Sequence, residues 1–124
     1  EVIRWNKESE VVDMQSLDIG VYPLEDSEWV KGKSGLKAIQ YMAFGLPIVA
    51  SNLGINPDLI SHKVNGLLAR NENDWFDYLK KLVEDSKLRR DLGEAARKLA
   101  VERYSLSAIE SKYLDILKNT NQNE

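Results

Sequence analysis

Strand-prone segments alternate with helical segments along the first half of the chain, and this alternation restricts the possible folds more than any other feature. The segments with strand character are residues 2–5, 18–22, 47–50 and 66–69. Apolar residues recur at helical spacing in residues 8–17 and 36–44. Residues 47–50 (PIVA) are apolar throughout, which is typical of a parallel strand buried on both faces. We therefore predict an α/β fold with a parallel sheet and flanking helices.

The part of the chain that follows the last predicted strand is helical. A first amphipathic helix is indicated by the spacing of Trp75, Tyr78, Leu79, Leu82 and Val83. We expect Ser86 to cap a second helix, and Ser107 with Glu110 to form a capping box for a third. Residues 119–124 are predicted to be a frayed polar tail. Since three or four strands are few for a doubly wound sheet, we expect residues 1–124 to be part of a larger domain whose first βα units are missing.

A polar loop is predicted over residues 24–35, between a strand that ends at Pro23 and a helix that begins at Leu36 and is closed by Gly45. The loop ends in KGKSG at residues 31–35. Free N–H groups and the dipole of the following helix would favour an anion such as a diphosphate there. Nearby lysines would add charge-assisted hydrogen bonds, and glycine would let a phosphate approach the backbone closely.

Two other interpretations of this loop are a P-loop and a solvated surface loop. Gly32, Lys33 and Ser34 match the end of the P-loop pattern, but the first glycine of that pattern falls on Ser27, which argues against a P-loop. The second alternative is a solvated, lysine-rich surface loop. The glycine and lysine pattern alone does not separate this alternative from an anion site.

Charge and composition exclude several classes of function. With 17 basic and 20 acidic residues the net charge is −3, without the basic excess of a nucleic-acid-binding domain. The chain has no cysteine and a single histidine, His62, which argues against disulfides, thiol chemistry and a zinc site. His62 is predicted to be a surface residue of a loop. No apolar segment approaches the ~20 residues that a membrane-spanning helix requires.

Residues 32–51, GKSGLKAIQYMAFGLPIVAS, resemble the signature region of the group 1 (family 4) glycosyltransferases, and YMAFGLPIVAS is its most specific part. The resemblance continues in the family's order along nearly the whole chain, from about residue 10 to about residue 118. Its further motifs are DIGVYPL at residues 18–24, NGLL at residues 65–68, the helix of Trp75, and ERYS at residues 102–105.

The resemblance implies a GT-B enzyme with two Rossmann-like lobes, of which the N-terminal lobe binds the acceptor and the C-terminal lobe binds a nucleotide-sugar donor. It implies transfer of a sugar to a glycan or lipid-linked acceptor, with retention of the anomeric configuration, and with neither a metal nor another cofactor. The whole protein would be cytoplasmic, peripheral at the inner face of the membrane. The chain would be a C-terminal part of the donor-binding lobe, inactive without the acceptor lobe and prone to self-association.

Family members carry two glutamates eight residues apart, and these positions fall here on Gly32 and Gln40. The amide of Gln40 can still hydrogen-bond ribose hydroxyls, but Gly32 has no side chain to face the donor sugar. No catalytic residue is therefore assigned, and Lys33 is taken to face the donor phosphates. The residues predicted to bind the donor are Gly32, Lys33, Gly35, Leu36, Lys37 and Gln40.

Neighbouring residues leave further alternatives open. Asp26 and Glu28 are candidates for the missing acid, or else solvated loop residues. Trp29 is a candidate for stacking on a sugar or base, or else a packing residue. We expect Gly35→Val to abolish donor binding and to leave the fold intact.

Two other functions remain possible from the sequence. The first is a degenerate GT-B lobe that binds or scaffolds without turnover, which the loss of both acids keeps open. The second is an unrelated flavodoxin-like or receiver-like domain, which predicts acids at the strand ends. Only Asp18 comes close to such a position, and it precedes its strand.

Overall fold

Three short parallel strands lie at the centre of the structure, a computed structural model that describes residues 2–120. They are β1 (Gly20–Tyr22), β2 (Ile48–Ser51) and β3 (Leu67–Ala69), in the spatial order β1-β2-β3. Val21 lies opposite Val49, and Ala50 lies opposite Leu68. The predicted α/β class with a parallel sheet is confirmed.

Seven helices accompany the three strands within residues 2–120. They are α1 (Glu10–Gln15), α2 (Glu28–Lys31), α3 (Leu36–Ala43), α4 (Asn56–Leu59), α5 (Glu72–Glu84), α6 (Ser86–Tyr104) and α7 (Leu106–Thr120). Helix α3 packs against α6, α5 packs against β3, and α7 packs against α6.

The central strand β2 is buried on both faces, which explains why it is apolar. Ile48 and Ala50 belong to the core that includes Met42 of α3 and residues of α6. Val49, pointing the other way, belongs to the core that includes Leu82 of α5. Successive side chains of a strand point to opposite faces, so helices on both sides require an unbroken apolar run.

The prediction of a strand over residues 2–5 is wrong. These residues are exposed, Val2 to 95%, and they have no regular secondary structure. A strand is stable only when a neighbour satisfies its backbone N–H and C=O groups. Among the described residues, no strand pairs with the side of β1 that faces away from β2.

The loop predicted over residues 24–35 contains a short helix, α2. Ser27 caps it, because its Oγ accepts a hydrogen bond from the Val30 N–H at 3.3 Å. A single helical turn is too short to produce a recognisable periodicity of apolar residues. This helix also occupies the segment that a P-loop would need for its phosphate-binding loop.

Both predicted caps of the C-terminal helices are wrong by one or two residues. Asp85, not Ser86, caps α6 by accepting from the Leu88 N–H at 2.9 Å. Ser105 Oγ accepts from the Ala108 N–H at 3.2 Å, and Ser107 lies inside α7. Of the predicted frayed tail, residues 119–120 are helical and residues 121–124 lie outside the described residues.

Candidate functional site

The three parallel strands direct their carboxyl ends to the same edge of the sheet. The segments that begin there are residues 23–35 after β1, residues 52–55 after β2 and residues 70–71 after β3. In open α/β sheets this edge is the usual place for ligands. The KGKSG segment at residues 31–35, which ends the predicted loop of residues 24–35, is therefore part of the edge where a ligand is expected.

The first turn of α3 forms an open helix N-terminus. Its N-cap residue, Gly35, has φ +70° and no side chain with which to cap the helix. The first N–H groups of a helix have no acceptor within the helix. Leu36 and Lys37 are exposed residues, and their N–H groups have no backbone acceptor within residues 2–120.

Two lysines beside this helix end form no ion pair with another described residue. Lys33 and Lys37 are exposed, and neither forms an ion pair with any residue in the described part of the chain. Lys31 differs, because its Nζ lies 2.7 Å from a Glu28 oxygen and 3.7 Å from an Asp26 oxygen. The hydrogen bond to Glu28 raises the pKa of Lys31. Glu28 and Asp26, the candidate acids, are thus engaged with a surface lysine.

The surroundings of Gly35 argue against the expectation that Gly35→Val leaves the fold undisturbed. A Cβ at this position would lie 2.8 Å from Ile55 Cγ2 and closer still to Leu59 Cδ1. The positive φ adds strain for any residue with a Cβ. Gly32 has φ −84°, and the nearest atom to an added Cβ would be the Trp29 carbonyl oxygen at 3.6 Å.

The structure brings five of the six predicted residues together at the start of α3, and Gln40 follows one helical turn later. Gln40 is half-buried, so it is partly accessible to a ligand. Trp29 on α2 is 82% exposed and does not act as a core packing residue. That leaves its ring accessible beside the same loop.

A serine joins the loop after β1 to the end of β2. Ser51 Oγ accepts a hydrogen bond from the Leu24 N–H at 2.8 Å and donates one to the Leu24 carbonyl oxygen at 3.0 Å. Both backbone groups of Leu24 are therefore satisfied by one buried side chain. This fixes the start of the segment that leads to α2 and the glycine-rich loop.

A polar cleft of about 380 Å³ lies at the same edge and was not predicted from the sequence. Asn52 follows β2 directly, Arg70 follows β3, and Trp75 projects from α5. Asn52 and Arg70 directly follow apolar strands, and this position in the sequence could have indicated that they lie at the ligand-binding edge. Trp75 gave none, because its helical spacing indicated only a core residue.

Neither a metal site nor a membrane span is apparent in residues 2–120. No group of three or more His, Cys, Asp or Glu side chains there is placed to hold a metal ion. None of the helices in that range is both long and apolar enough to cross a membrane.

A parallel sheet with an open, glycine-bounded helix N-terminus at its carboxyl edge is the arrangement found in Rossmann-like nucleotide-binding lobes. The family model for "Glycosyl transferases group 1" matches residues 5–99. The chain therefore belongs to the group 1 glycosyl transferase family.

Two solved structures share this fold. The C-terminal domain of a glycosyl transferase group 1 family protein (LpcC) from Francisella tularensis superimposes with a TM-score of 0.66 at 24% identity, over 85% of this chain and 53% of that one. HepE from Anabaena, solved in complex with UDP, gives a TM-score of 0.68 at 20% identity, over 86% of this chain and 29% of that one. The fold is accordingly that of a GT-B glycosyltransferase domain.

A curated relative is similar in sequence over most of the chain. It is the poly(ribitol-phosphate) alpha-N-acetylglucosaminyltransferase of Staphylococcus aureus, 33% identical over 104 residues and 77% of this chain. The matched region is 21% of that protein, so the chain spans about a fifth of its relative's length.

Proposed function

We propose that this chain is the donor-binding part of a glycosyltransferase that moves a sugar from a nucleotide-sugar to a glycan or lipid-linked acceptor, with retention. The observation that carries the proposal is the open N-terminus of α3 beside the two unpaired lysines, Lys33 and Lys37. A diphosphate is the part of the donor that such a site would bind. The UDP bound to HepE, which shares the fold, supports a nucleotide ligand.

The same groups would assist the chemical step. As the bond between the donor sugar and the nucleoside diphosphate breaks, negative charge develops on the leaving diphosphate. The N–H groups of Leu36 and Lys37, with the Lys33 ammonium, would stabilise that charge in place before the reaction begins. In this proposal these protein groups stabilise the charge without a metal or another cofactor.

Gln40 would hold the ribose and Gly32 would leave room for the donor sugar. The Gln40 amide offers both a donor and an acceptor to a pair of hydroxyls. Gly32 is exposed and has no side chain, so a group that faces the sugar has to come from another position. We assign no catalytic residue among residues 2–120.

The whole protein would add the acceptor lobe and act in polysaccharide biosynthesis, cytoplasmic and peripheral at the inner face of the membrane. In this proposal the chain alone does not turn over substrate. The relative that acts on poly(ribitol-phosphate) supports a polymeric acceptor. The alternative is a non-catalytic lobe, favoured by the absence of both family acids at Gly32 and Gln40.

Saturation-transfer NMR of the chain with UDP, GDP, ADP, CMP and inorganic phosphate tests the donor assignment. We expect ribose and base protons of one nucleotide to receive saturation, and Lys33→Ala/Lys37→Ala to remove the effect. Lys112→Ala, an exposed lysine of α7, is the matched control. An unchanged signal in the double variant would remove both lysines from the site.

Turnover distinguishes the enzyme from the degenerate lobe. Once the bound nucleotide is known, the full-length protein is incubated with the sugar donor that carries it, and release of the free nucleotide is followed. Release that depends on an added glycan or lipid-linked acceptor supports the transferase. Binding without release under these conditions supports the non-catalytic alternative.

A further inference from the structure

The polar cleft at the carboxyl edge is one half of a longer groove. A second cleft, of about 370 Å³, shares Asn52 and Arg70 with the first cleft of about 380 Å³. Because two of their lining residues are common, the clefts adjoin. We call the pair the edge groove. Each half lies in the volume range of sites for small ligands.

Aromatic side chains line both halves of the edge groove, and in the second half the ring of Tyr78 lies 5.4 Å from that of His62. Trp75 lines the first half and Tyr78 lines the second. They are three residues apart on α5 and therefore neighbours on the helix surface. Both are partly buried against the core below, so their positions are set before any ligand arrives. Aromatic side chains held in this way are suited to contact with the weakly apolar C–H groups of sugar rings.

Polar side chains with hydrogen-bonding groups still open to a ligand lie where the two halves meet. The side-chain amide of Asn52 is exposed and makes no hydrogen bond to any residue between 2 and 120. Arg70 is oriented by Asp74, whose Oδ2 accepts hydrogen bonds from the Arg70 N–H at 2.9 Å and from its Nε at 3.2 Å. The terminal nitrogens of Arg70 remain available as donors. Amide and guanidinium groups of this kind suit hydroxyl ligands.

The charge of the edge groove favours a neutral ligand over a nucleotide. Two acids, Asp26 and Glu72, line the first half, while Lys63 lines the second and Arg70 lines both. Arg70 is also paired with Asp74 and Asp26 with Lys31, so the charges of the groove and their partners balance, in contrast to the lysines without ion pairs beside α3. A diphosphate would therefore be stabilised more at the start of α3 than in the edge groove.

We propose that the edge groove binds two consecutive neutral sugar units of the acceptor, one against Trp75 and one against Tyr78. Only the statement that these sugars belong to the acceptor rests on the proposed function. If the proposed function is right, the lobe that binds the donor would also bind part of the acceptor glycan. Binding of the sugars can be measured without it.

The test is a titration of the ¹⁵N-labelled chain with cellobiose, maltose and N,N′-diacetylchitobiose, followed by amide and indole chemical shifts. We expect at least one disaccharide to shift the amides of Asn52 and Arg70 and the indole N–H of Trp75. Glucose or N-acetylglucosamine, which fills one half only, is expected to bind about tenfold more weakly. Glycerol at equal hydroxyl concentration controls for non-specific effects.

Two asparagine variants make the test specific. Asn52→Ala should weaken binding of the disaccharide about tenfold, because Asn52 lines both halves. Asn73→Ala, on the exposed surface of α5 and outside both clefts, should leave it unchanged. Neither variant should alter the unfolding midpoint in urea, because neither side chain is buried.

Three results would overturn the inference: no shift at the edge groove with any disaccharide, equal binding of mono- and disaccharides, or full binding by Asn52→Ala. Adding the nucleotides to the same sample tests the donor proposal independently of the edge-groove inference. If nucleotides shift Leu36 and Lys37 while disaccharides leave Asn52 unmoved, only the edge-groove inference fails. If the reverse is found, only the donor assignment fails.

Discussion

Gly32 and Gly35 lie three residues apart in one loop, yet their surroundings impose different constraints. Gly35 has a left-handed conformation and no space for a Cβ, whereas Gly32 has an ordinary φ and open surroundings. We expect Gly35→Ala to lower the free energy of unfolding by about 2–4 kcal/mol through strain and overlap with Leu59. Gly32→Ala should change it by less than about 0.5 kcal/mol. Urea unfolding of both variants checks this, and similar midpoints would contradict it.

Lys33 is the side chain with the clearest expected effect on the donor. In the full-length protein, Lys33→Ala should raise the donor KM or lower kcat by about tenfold, or roughly 1.4 kcal/mol, because one charge facing the diphosphate is lost. Steady-state kinetics with varied donor measure this. Lys31→Ala is the internal control, since Lys31 is already paired with Glu28. Equal losses in both variants would indicate a general electrostatic effect instead of a contact.

His62 is a surface residue, as predicted from the sequence, but it also has a structural role. Its Nδ1 accepts a hydrogen bond from the Leu68 N–H at 3.0 Å, and its ring lies 5.4 Å from that of Tyr78. Burial lowers the pKa of His62 below 6.5, and the charges of Lys63 and Arg70 lower it further, while Asp74 acts in the opposite direction. The neutral imidazole is therefore the form that the folded chain favours.

The pH dependence of stability follows from this shift. Because the unfolded chain takes up the proton at higher pH, the contribution of His62 is complete above pH 6.5 and is lost as the pH falls through the lower folded pKa. We expect the wild-type chain to lose more stability than His62→Gln between about pH 7.5 and 5. Urea unfolding gives the stability, and an NMR titration of the imidazole gives the pKa. A folded pKa at or above 6.5 would contradict the prediction.

At the scale of the elements, Ser51 connects β2 to the segment after β1. Ser51→Ala removes both hydrogen bonds to Leu24 and should lower the free energy of unfolding by about 1–3 kcal/mol, since two backbone groups lose their partner. Ser61→Ala is a matched control because the Ser61 side chain is exposed. Hydrogen exchange should accelerate at Leu24 in the first variant alone. Unchanged exchange there would show that water replaces the serine without cost.

The sequence predicted those elements whose pattern is local and strong. Strand β2 and helices α3 and α5 lie within two or three residues of the expected bounds, because an apolar run or a helical period defines each. Helix α2 was missed because a single turn has no period. Residues 2–5 have strand composition, but pairing with a neighbour decides whether a strand forms.

The same distinction between local and tertiary features applies to the candidate site. The start of α3 could be predicted because its glycines and lysines are adjacent in sequence. The edge groove could not, because Asn52, Arg70 and Trp75 come from three elements that only the sheet brings together. Gly35 shows a further limit: its contacts with Ile55 and Leu59 depend on tertiary packing, so the sequence did not show that the fold itself needs this glycine.

At the scale of the whole molecule, α7 presents apolar side chains to solvent. Leu106 is 89% exposed, and Tyr113 and Leu117 are more than half exposed. Such a surface favours association. We expect the chain to self-associate with rising concentration in sedimentation velocity, and Tyr113→Lys/Leu117→Lys to remain monomeric. Lys112→Ala serves as the control on the same helix. A wild-type chain that stays monomeric at every concentration would contradict this prediction.

The two margins of the sheet are not equivalent. On β3, the outward N–H of Leu68 is occupied by His62, so this margin does not offer a free donor at that position. On β1, no strand within residues 2–120 pairs with the side that faces away from β2. A further strand, whatever its origin, would therefore be accommodated beside β1. Additional strands can therefore pair with the sheet at its β1 edge, and the His62 imidazole helps to prevent pairing at its β3 edge.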